Sequence, residues 1–339
     1  MQKKYLFLGP KKNVNDPNLT GGVIVLFENL IDYCNEHNID YEIIDTNKAN
    51  YNNKLYAYIQ ILFLVFLKTQ KATYISLHGT ANDYFFIAPF ALVISKLFGK
   101  HFSLRKFAGN FIEIYENSSI IKQVIIKIIL KYSSCNFFET KYLVEYFKKF
   151  NPNTFWFPNV RKKSFYHTDQ KFHKRFVYIG AITEEKGIDT LCKASNLLLN
   201  DYIIDLYGIL GDNYTESYFN KYNVNYQGIL DSNNVTRVLS GYDVLILPSL
   251  REGYPGVIIE AMSAGLPVIA TNLDAVKEML DDNMDMAFLI VPNNIIELKK
   301  AIETFSDDNY LDMSVRSFMK FDNFDSEVRT KLFFKVLNL

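Results

Sequence analysis

Short apolar runs alternate with longer stretches of helical periodicity along the whole chain. Residues 4–8 read as a strand, and beyond a loop containing LTGGV the segment IVLFENLIDYCNEH sets apolar side chains at helical spacing. YEIIDT reads as a second strand, residues 55–68 as an apolar helix, and ATYISLHG as a third strand. FIAPFALVISKLFG is helical and HFSLRKFAG strand-like; SSIIKQVIIKIILKYSS, CNFFET and KYLVEYFKKF then give helix, strand and helix. Strands alternating with helices in this way predict α/β architecture built on parallel sheets.

The segment NPNTFWFPNVRKKSFYHTDQKFHKR, with its prolines, polar residues and basic charge, marks a boundary, and the transition is expected near residues 156–170. A second α/β series follows. RFVYIG, IIDLYG, VNYQG, DVLILP, PVIAT and AFLIV supply its strands, and helices fall within KGIDTLCKASNLLL, NNVTRVLSG, KEMLD and NNIIELKKAIETFSD. The closing LDMSVRSFMKFDNFDSEVRTKLFFKVL holds helical patches about a polar break. The expected division is a first Rossmann-like domain over residues 1–160 and a second over 161–315. A helical segment over 316–339 would cap the second domain or return to the first.

Composition supports real cores. The chain of 339 residues is 49% hydrophobic and 22% charged, which fits two domains of about 150 residues and excludes global disorder. A net charge of zero gives no general argument for nucleic acid, and none is expected as a partner. Cys34, Cys135 and Cys192 stand apart, without metal-ligand spacing or a disulfide framework, so a cytoplasmic setting is expected. The opening MQKKYLFLGPKK has too short an apolar run for a signal peptide and reads as the first strand. The most apolar stretch, residues 55–70, is closed by Lys68 and falls short of the roughly 18–20 residues that span a bilayer. It is expected to be a buried helix lying on the sheet.

The chemistry concentrates in residues 249–271, SLREGYPGVIIEAMSAGLPVIAT. Here a strand passes through a glycine- and proline-bearing loop into a helix, the junction that turns backbone N–H groups toward a phosphate. Gly253 and Gly256 permit close approach of a ligand to the backbone, Pro255 restricts the loop, and Gly256 with Val257 would cradle a diphosphate. Glu252 in the loop and Glu260 one turn into the helix suit two hydroxyl-bearing parts of an extended ligand better than a metal. Ordinary loop and helix-surface acids are the alternative on spacing alone.

REGYPGVIIEAMSAGLPVIAT resembles the donor-site signature of family 4 glycosyltransferases, whose members are retaining enzymes of the GT-B fold. That signature has an EG-x-P loop, a second Glu after seven intervening residues, and the run EAMA-x-G-x-PVIA, from which this chain departs only at Ser263. The similarity extends through YIGAITEEKGIDTLCKA and VNYQGILDSNNVTRVLSGYDVLILPS. It implies two Rossmann-like domains facing an interdomain cleft, acceptor-binding first and nucleotide-sugar-binding second. It assigns Glu252 to the donor sugar, Glu260 to the nucleotide ribose, and the backbone around Gly253, Gly256 and Val257 to the sugar diphosphate. Lys186 becomes the cation that neutralises the departing diphosphate, although a lysine at a helix start gains nothing from the dipole by itself. The family commonly has Arg after the glycine matching Gly180, where this chain has Ala181. Arg175, Arg251 or a basic residue of the first half are the candidates to compensate.

In the first half, Gly21 and Gly22 fit an ordinary strand-to-helix turn and also match the glycine-rich first loop of these enzymes. His78 ends an apparent strand, where it could bond a substrate hydroxyl or stabilise a loop. The family's important His follows the next strand, which here reads FSLRKFAGNF, so His78 does not inherit that role. Arg105 and Lys106 end that strand, and Arg105 is the favoured ligand-facing cation against the alternative of a charged turn. Lys122, Lys127 and Lys131 punctuate an apolar helix that fits either the core or an anionic membrane surface.

The resemblance thus implies a retaining transferase that moves a sugar from a nucleotide sugar to a saccharide or lipid-linked acceptor in capsule, O-antigen or exopolysaccharide synthesis. UDP is the default carrier, with GDP, ADP or a deoxythymidine nucleotide as alternatives; no tightly bound cofactor and no catalytic metal are expected. Nucleotide-sugar hydrolysis or phosphorolysis, and a binding partner without turnover, are the competing readings. A dehydrogenase is disfavoured because no G-x-G-x-x-G follows the first strand.

Overall fold

The computed structural model describes residues 3–15, 22–107, 109–163, 171–231, 234–280 and 286–338. Gly21 and the linker residues 164–170 lie outside them. The chain divides into two units. One runs to Val160 and takes in the chain again from Ser326, and the other runs from Arg161 to Asp325.

The first unit begins β1 (Tyr5–Gly9), α1 (Gly22–Glu36), β2 (Tyr41–Asp45), α2 (Lys54–Thr69), β3 (Tyr74–Gly79) and α3 (Ala81–Leu97). It continues with β4 (His101–Lys106), α4 (Phe111–Glu116), α5 (Ile120–Tyr132), β5 (Cys135–Phe138), α6 (Lys141–Lys148) and β6 (Thr154–Trp156). All pairings are parallel, in the order β2-β1-β3-β4-β5-β6. The sheet is covered on both faces, which is why its strands read as apolar runs. Leu6 and Leu8 of β1 join one core with Ile61, Ile87 and Ile129, while Tyr5 and Phe7 join the opposite one with Leu26 and Leu30.

Two sequence expectations change here. β6 lies inside the segment read as linker; three residues flanked by Pro152 and Pro158 are too few to carry an alternating signal. Helix α2 buries only the stripe Ala57, Ile61, Val65 and Thr69, leaving Leu55, Ile59 and Phe63 exposed. It is apolar all round but covered on one side only.

The second unit holds β7 (Arg175–Ile179), α7 (Ile188–Ser195), β8 (Ile203–Tyr207), β9 (Asn225–Tyr226), α8 (Val235–Leu239) and β10 (Val244–Leu247). Then come α9 (Gly256–Ser263), β11 (Val268–Thr271), α10 (Asp274–Leu280), β12 (Ala287–Ile290), α11 (Ile295–Thr304) and α12 (Asp307–Phe321). Its sheet is parallel in the order β12-β11-β10-β7-β8-β9. Read from β9, the strands follow the 3-2-1-4-5-6 succession of the dinucleotide-binding folds, whose ligand crevice lies where the order reverses. That reversal falls between β7 and β10.

Helix α13 (Ser326–Leu337) belongs to the first unit. Its Phe333, Phe334 and Leu337 enter the core of Tyr5, Phe7 and Leu30, and it packs on α1.

Candidate active site

The loops that follow β7 and β10 meet at the reversal of strand order. β7 is followed directly by Gly180, whose N–H donates to the Tyr207 carbonyl at 3.0 Å. A Cβ added at Gly180 would stand 2.7 Å from the Tyr178 hydroxyl, so a side chain there would displace that hydroxyl. That hydroxyl donates to the Ala181 carbonyl at 2.7 Å. Burial first, and the Glu252 carboxylate after it, raise the Tyr178 phenol above its ordinary pKa.

A single 3₁₀ turn, Glu184–Lys186, precedes Gly187, which takes the left-handed conformation with φ of 71° before α7 begins. A side chain at Gly187 would place its Cβ 2.0 Å from the Pro248 carbonyl oxygen. Leu250 N–H donates to the Glu185 carbonyl at 2.8 Å. These contacts hold the two loops together and bring Lys186 Nζ to 2.7 Å from Glu252 Oε1. The Glu252 side chain retains 11% exposure and Lys186 29%, so the pair sits at the surface of the crevice rather than beneath it.

Beyond exposed Gly253, Pro255 leads into α9 with φ of −69°. Ile258, Ile259, Ala261 and Met262 are buried, which leaves Gly256, Val257 and Glu260 partly exposed. Residues three and four apart share a helix face, so these three line one side of the first turn. The first-turn N–H groups of a helix lack intrahelical acceptors and carry the positive end of its dipole. Glu260 accepts a hydrogen bond from Arg161 Nε at 2.5 Å, and Arg161 Nη2 lies 2.0 Å from where a Gly256 Cβ would be. Arg161 is itself fixed through its backbone, donating to the Phe324 carbonyl at 3.1 Å.

Arg161 is the residue that sequence reasoning missed. Ninety-nine positions separate it from Glu260, and its only sequence signal is the basic NVRKK that opens the linker. Of the cations expected to offset Ala181, Arg175 is corrected. It starts β7 at the amino end, and at about 3.3 Å per residue stands far from Gly180 at the carboxyl end. Arg251 is exposed in the loop beside Glu252.

Arg105 is also corrected. Its side chain is fully buried, with the guanidinium 3.7 Å from the centre of the Phe157 ring and 4.9 Å from that of Phe107. Burial lowers its pKa to about 9. It is an enclosed core cation, stacked on two rings with Nη2 donating to the Pro158 carbonyl at 3.4 Å, and not an exposed ligand-facing one. Lys106 is buried too, bonds the Phe107 carbonyl, and is lowered by burial to about 8. His78 pairs in register with Arg105 and is buried among Phe7, Phe27, Phe107 and Phe333. Its ring nitrogen lies 3.0 Å from Ser76 Oγ. Of the two roles left open for His78, the structure places it in the core.

Gly22 begins α1, is exposed, and an added Cβ there would meet open space. Next to it, a pocket of about 350 Å³ is lined by Pro10, Val23, Ile24, Thr46, Lys48 and Gly79, among others. It opens where the first sheet reverses its strand order, between β1 and β3.

The profile of one protein family, glycosyl transferases group 1, matches residues 160–318. Those residues belong to that family. The group 1 region contains both acids, Lys186, Arg161 and the whole sheet of the second unit. Among relatives, the chain is 28% identical over 150 residues to UDP-Gal:alpha-D-GlcNAc-diphosphoundecaprenol alpha-1,3-galactosyltransferase of Escherichia coli, covering 41% of this chain and 38% of that one. The chain spans less than half the length of the curated relatives it matches first. In fold the likeness runs end to end. Anabaena Alr3699/HepE in complex with UDP superposes with a TM-score of 0.73 at 14% identity over 99% of both chains. The lipopolysaccharide outer core galactosyltransferase WaaB, in its apo form, gives 0.69 at 14% identity, covering 98% of this chain and 99% of that one. The fold is GT-B, two Rossmann-like domains in one chain.

Proposed function

We propose that the protein is a retaining glycosyltransferase that moves a sugar from a nucleotide sugar, with UDP as the carrier, to a saccharide or lipid-linked saccharide acceptor in cell-surface polysaccharide synthesis. The observation that carries this reading is the pair of acid–cation contacts at the β7/β10 reversal, Lys186 with Glu252 and Arg161 with Glu260. Each acid of the family 4 signature stands beside a cation that an anionic ligand can recruit. UDP as carrier is supported by the fold relative whose complex contains it.

In this reading Glu260 accepts the ribose hydroxyls and the first turn of α9 faces the diphosphate. Glu252 releases Lys186 and accepts a hydroxyl of the donor sugar. As the bond from the anomeric carbon to the phosphate oxygen lengthens, negative charge grows on the diphosphate, and Lys186 with the backbone N–H groups near Gly256 stabilises it. The acceptor oxygen bonds to the anomeric carbon on the face the phosphate leaves, which retains configuration. Its proton passes to the departing phosphate, so Glu252 forms no covalent intermediate.

A second observation supports a membrane-surface partner. Helix α3 packs against both α2 and α5, and among the described residues each of the three keeps apolar side chains exposed, such as Ile59 and Phe63 on α2 and Phe86 and Val93 on α3. On α5, Ile126, Ile129 and Leu130 fill the core, whereas Ile120, Ile121, Val124 and Ile128 are 79%, 73%, 48% and 46% exposed. Lys122, Lys127 and Lys131 are exposed on the same helix. Apolar side chains ringed by lysines suit the headgroup region of an anionic bilayer. Among the described residues no helix is long and apolar enough to cross a membrane.

The assay that tests the reaction incubates the protein with sugar-labelled nucleotide donors, with and without undecaprenyl-diphosphate-linked saccharides. Label moving into the lipid fraction only when acceptor is present supports transfer. Free sugar released at the same rate without acceptor would instead make the protein a hydrolase, and sugar phosphate formed only with inorganic phosphate a phosphorylase. Donor binding without any product would make it a binding partner.

A further inference from the structure

The first unit has a crevice of its own at the reversal of its strand order. Pro10 follows β1 and Gly79 ends β3, so the pocket of about 350 Å³ beside them opens at the carboxyl ends of the strands, where open α/β sheets take their ligands. Val23, Ile24 and Ala49 make part of its wall apolar, and its charged lining residues are Lys48 and Asp83. Asp83 is already engaged. Its side chain is 6% exposed; one carboxylate oxygen accepts from the Thr80 N–H at 2.9 Å and the Thr80 hydroxyl at 3.1 Å, and the other accepts from Lys48 Nζ. Gly79 lets the carboxylate sit there, since a Cβ on it would stand 2.8 Å from Asp83 Cβ. Lys48 is the reachable partner. It is 21% exposed, and Asp83 takes one of the three N–H groups that an ammonium offers.

The same ammonium stands at the head of an apolar track. Its Nζ lies 5.4 Å from the centre of the Tyr58 ring on α2, and that ring is 5.3 Å from the ring of Phe86 on α3. Phe86 is exposed, and so is Leu55, three positions before Tyr58 and therefore on its side of α2. Val93 and Leu97 carry exposed apolar surface further along α3, which packs on α2. A cation at a pocket rim, joined to aromatic and aliphatic surface, complements an anionic head on a long apolar tail.

We propose that Lys48 recognises the phosphate of a lipid-diphosphate-linked acceptor, with Asp83 positioning the ammonium and the lipid tail leaving the pocket over Tyr58 and Phe86 onto α2 and α3. This rests on the transferase reading above and deepens it by assigning the acceptor to residues of the first unit. Holding the lysine stem against a buried carboxylate before the ligand arrives reduces the side-chain freedom lost on binding.

The test titrates farnesyl diphosphate and inorganic diphosphate into the full chain by calorimetry, with the nucleotide carrier measured in parallel. Circular dichroism first shows that each variant is folded. Farnesyl diphosphate is expected to bind at least about tenfold more tightly than inorganic diphosphate, because its tail also buries apolar surface. Lys48→Gln is expected to lose about 10- to 100-fold for farnesyl diphosphate, the scale of one charge-assisted bond, and Lys48→Arg to recover part of the loss. Phe86→Ser, at an exposed position, should weaken farnesyl diphosphate and leave inorganic diphosphate unchanged. Lys186→Ala should leave farnesyl diphosphate binding unchanged, and Lys48→Gln should leave nucleotide binding unchanged. Inorganic diphosphate binding as tightly as farnesyl diphosphate, no effect of Lys48→Gln or of Phe86→Ser, or a loss confined to Lys186→Ala would each overturn the proposal. Nucleotide bound without farnesyl diphosphate would sink this site and leave the donor-site reading standing; farnesyl diphosphate bound without any nucleotide would do the reverse.

Discussion

At the scale of single residues, the Lys186–Glu252 contact separates chemistry from stability. Both side chains are partly solvated, and ion pairs of that kind contribute at most about 1 kcal/mol to folding. Lys186→Ala is therefore expected to leave the unfolding midpoint nearly unchanged while lowering kcat/KM by about 10²- to 10³-fold, the scale on which loss of one charge-stabilising donor acts. Steady-state kinetics beside urea unfolding checks both halves. His78 behaves in the opposite way. Burial, with Arg105 adding to it, holds its pKa well below the ordinary 6.5, so the folded protein keeps the ring neutral while the unfolded chain protonates. The unfolded state then binds the extra proton, and stability present above pH 6.5 is lost as pH falls through that value toward the folded pKa. The slope contributed by one such group is about 1.4 kcal/mol per pH unit. Urea unfolding between pH 7.5 and 5 is expected to show this decline, shallower by that slope in His78→Gln.

At the scale of elements, two loops and one helix build the site, and glycine decides how closely they meet. Gly187→Ala would place a methyl group against the Pro248 carbonyl at a left-handed φ. It is expected to destabilise the protein by more than about 1 kcal/mol and to weaken donor binding as Lys186 separates from Glu252. Thermal unfolding with and without nucleotide reads both effects. This junction was legible in the sequence, because glycines, proline and two acids at fixed spacing state the strand–loop–helix turn locally. Arg161 was not, because its contact with Glu260 depends on how the chain enters the second unit beside Phe324 and Asp325. Arg105 misled for the same reason: two cations at a strand end look exposed until Phe157, fifty-two positions on, closes over the guanidinium. The strands were legible wherever both faces are buried, and β6 escaped because its three residues lie between prolines.

At the scale of the whole molecule, each unit carries a different surface. The first unit exposes the apolar faces of α2, α3 and α5 together with lysines, and the second bears the group 1 signature. Flotation with vesicles of phosphatidylglycerol and phosphatidylethanolamine is expected to carry the protein upward. Val124→Glu with Ile128→Glu should abolish flotation while leaving nucleotide binding intact, whereas unchanged flotation would exclude that face. The central claim is the donor site on the second unit. Calorimetric titration of UDP-, GDP-, ADP- and deoxythymidine-diphosphate sugars into the intact protein, Glu260→Ala and Lys186→Ala tests it most directly. The expected result is saturable binding of one carrier, UDP first, weakened at least tenfold in each variant. Absence of binding by every carrier to a folded protein, or binding that both substitutions leave unchanged, would contradict it.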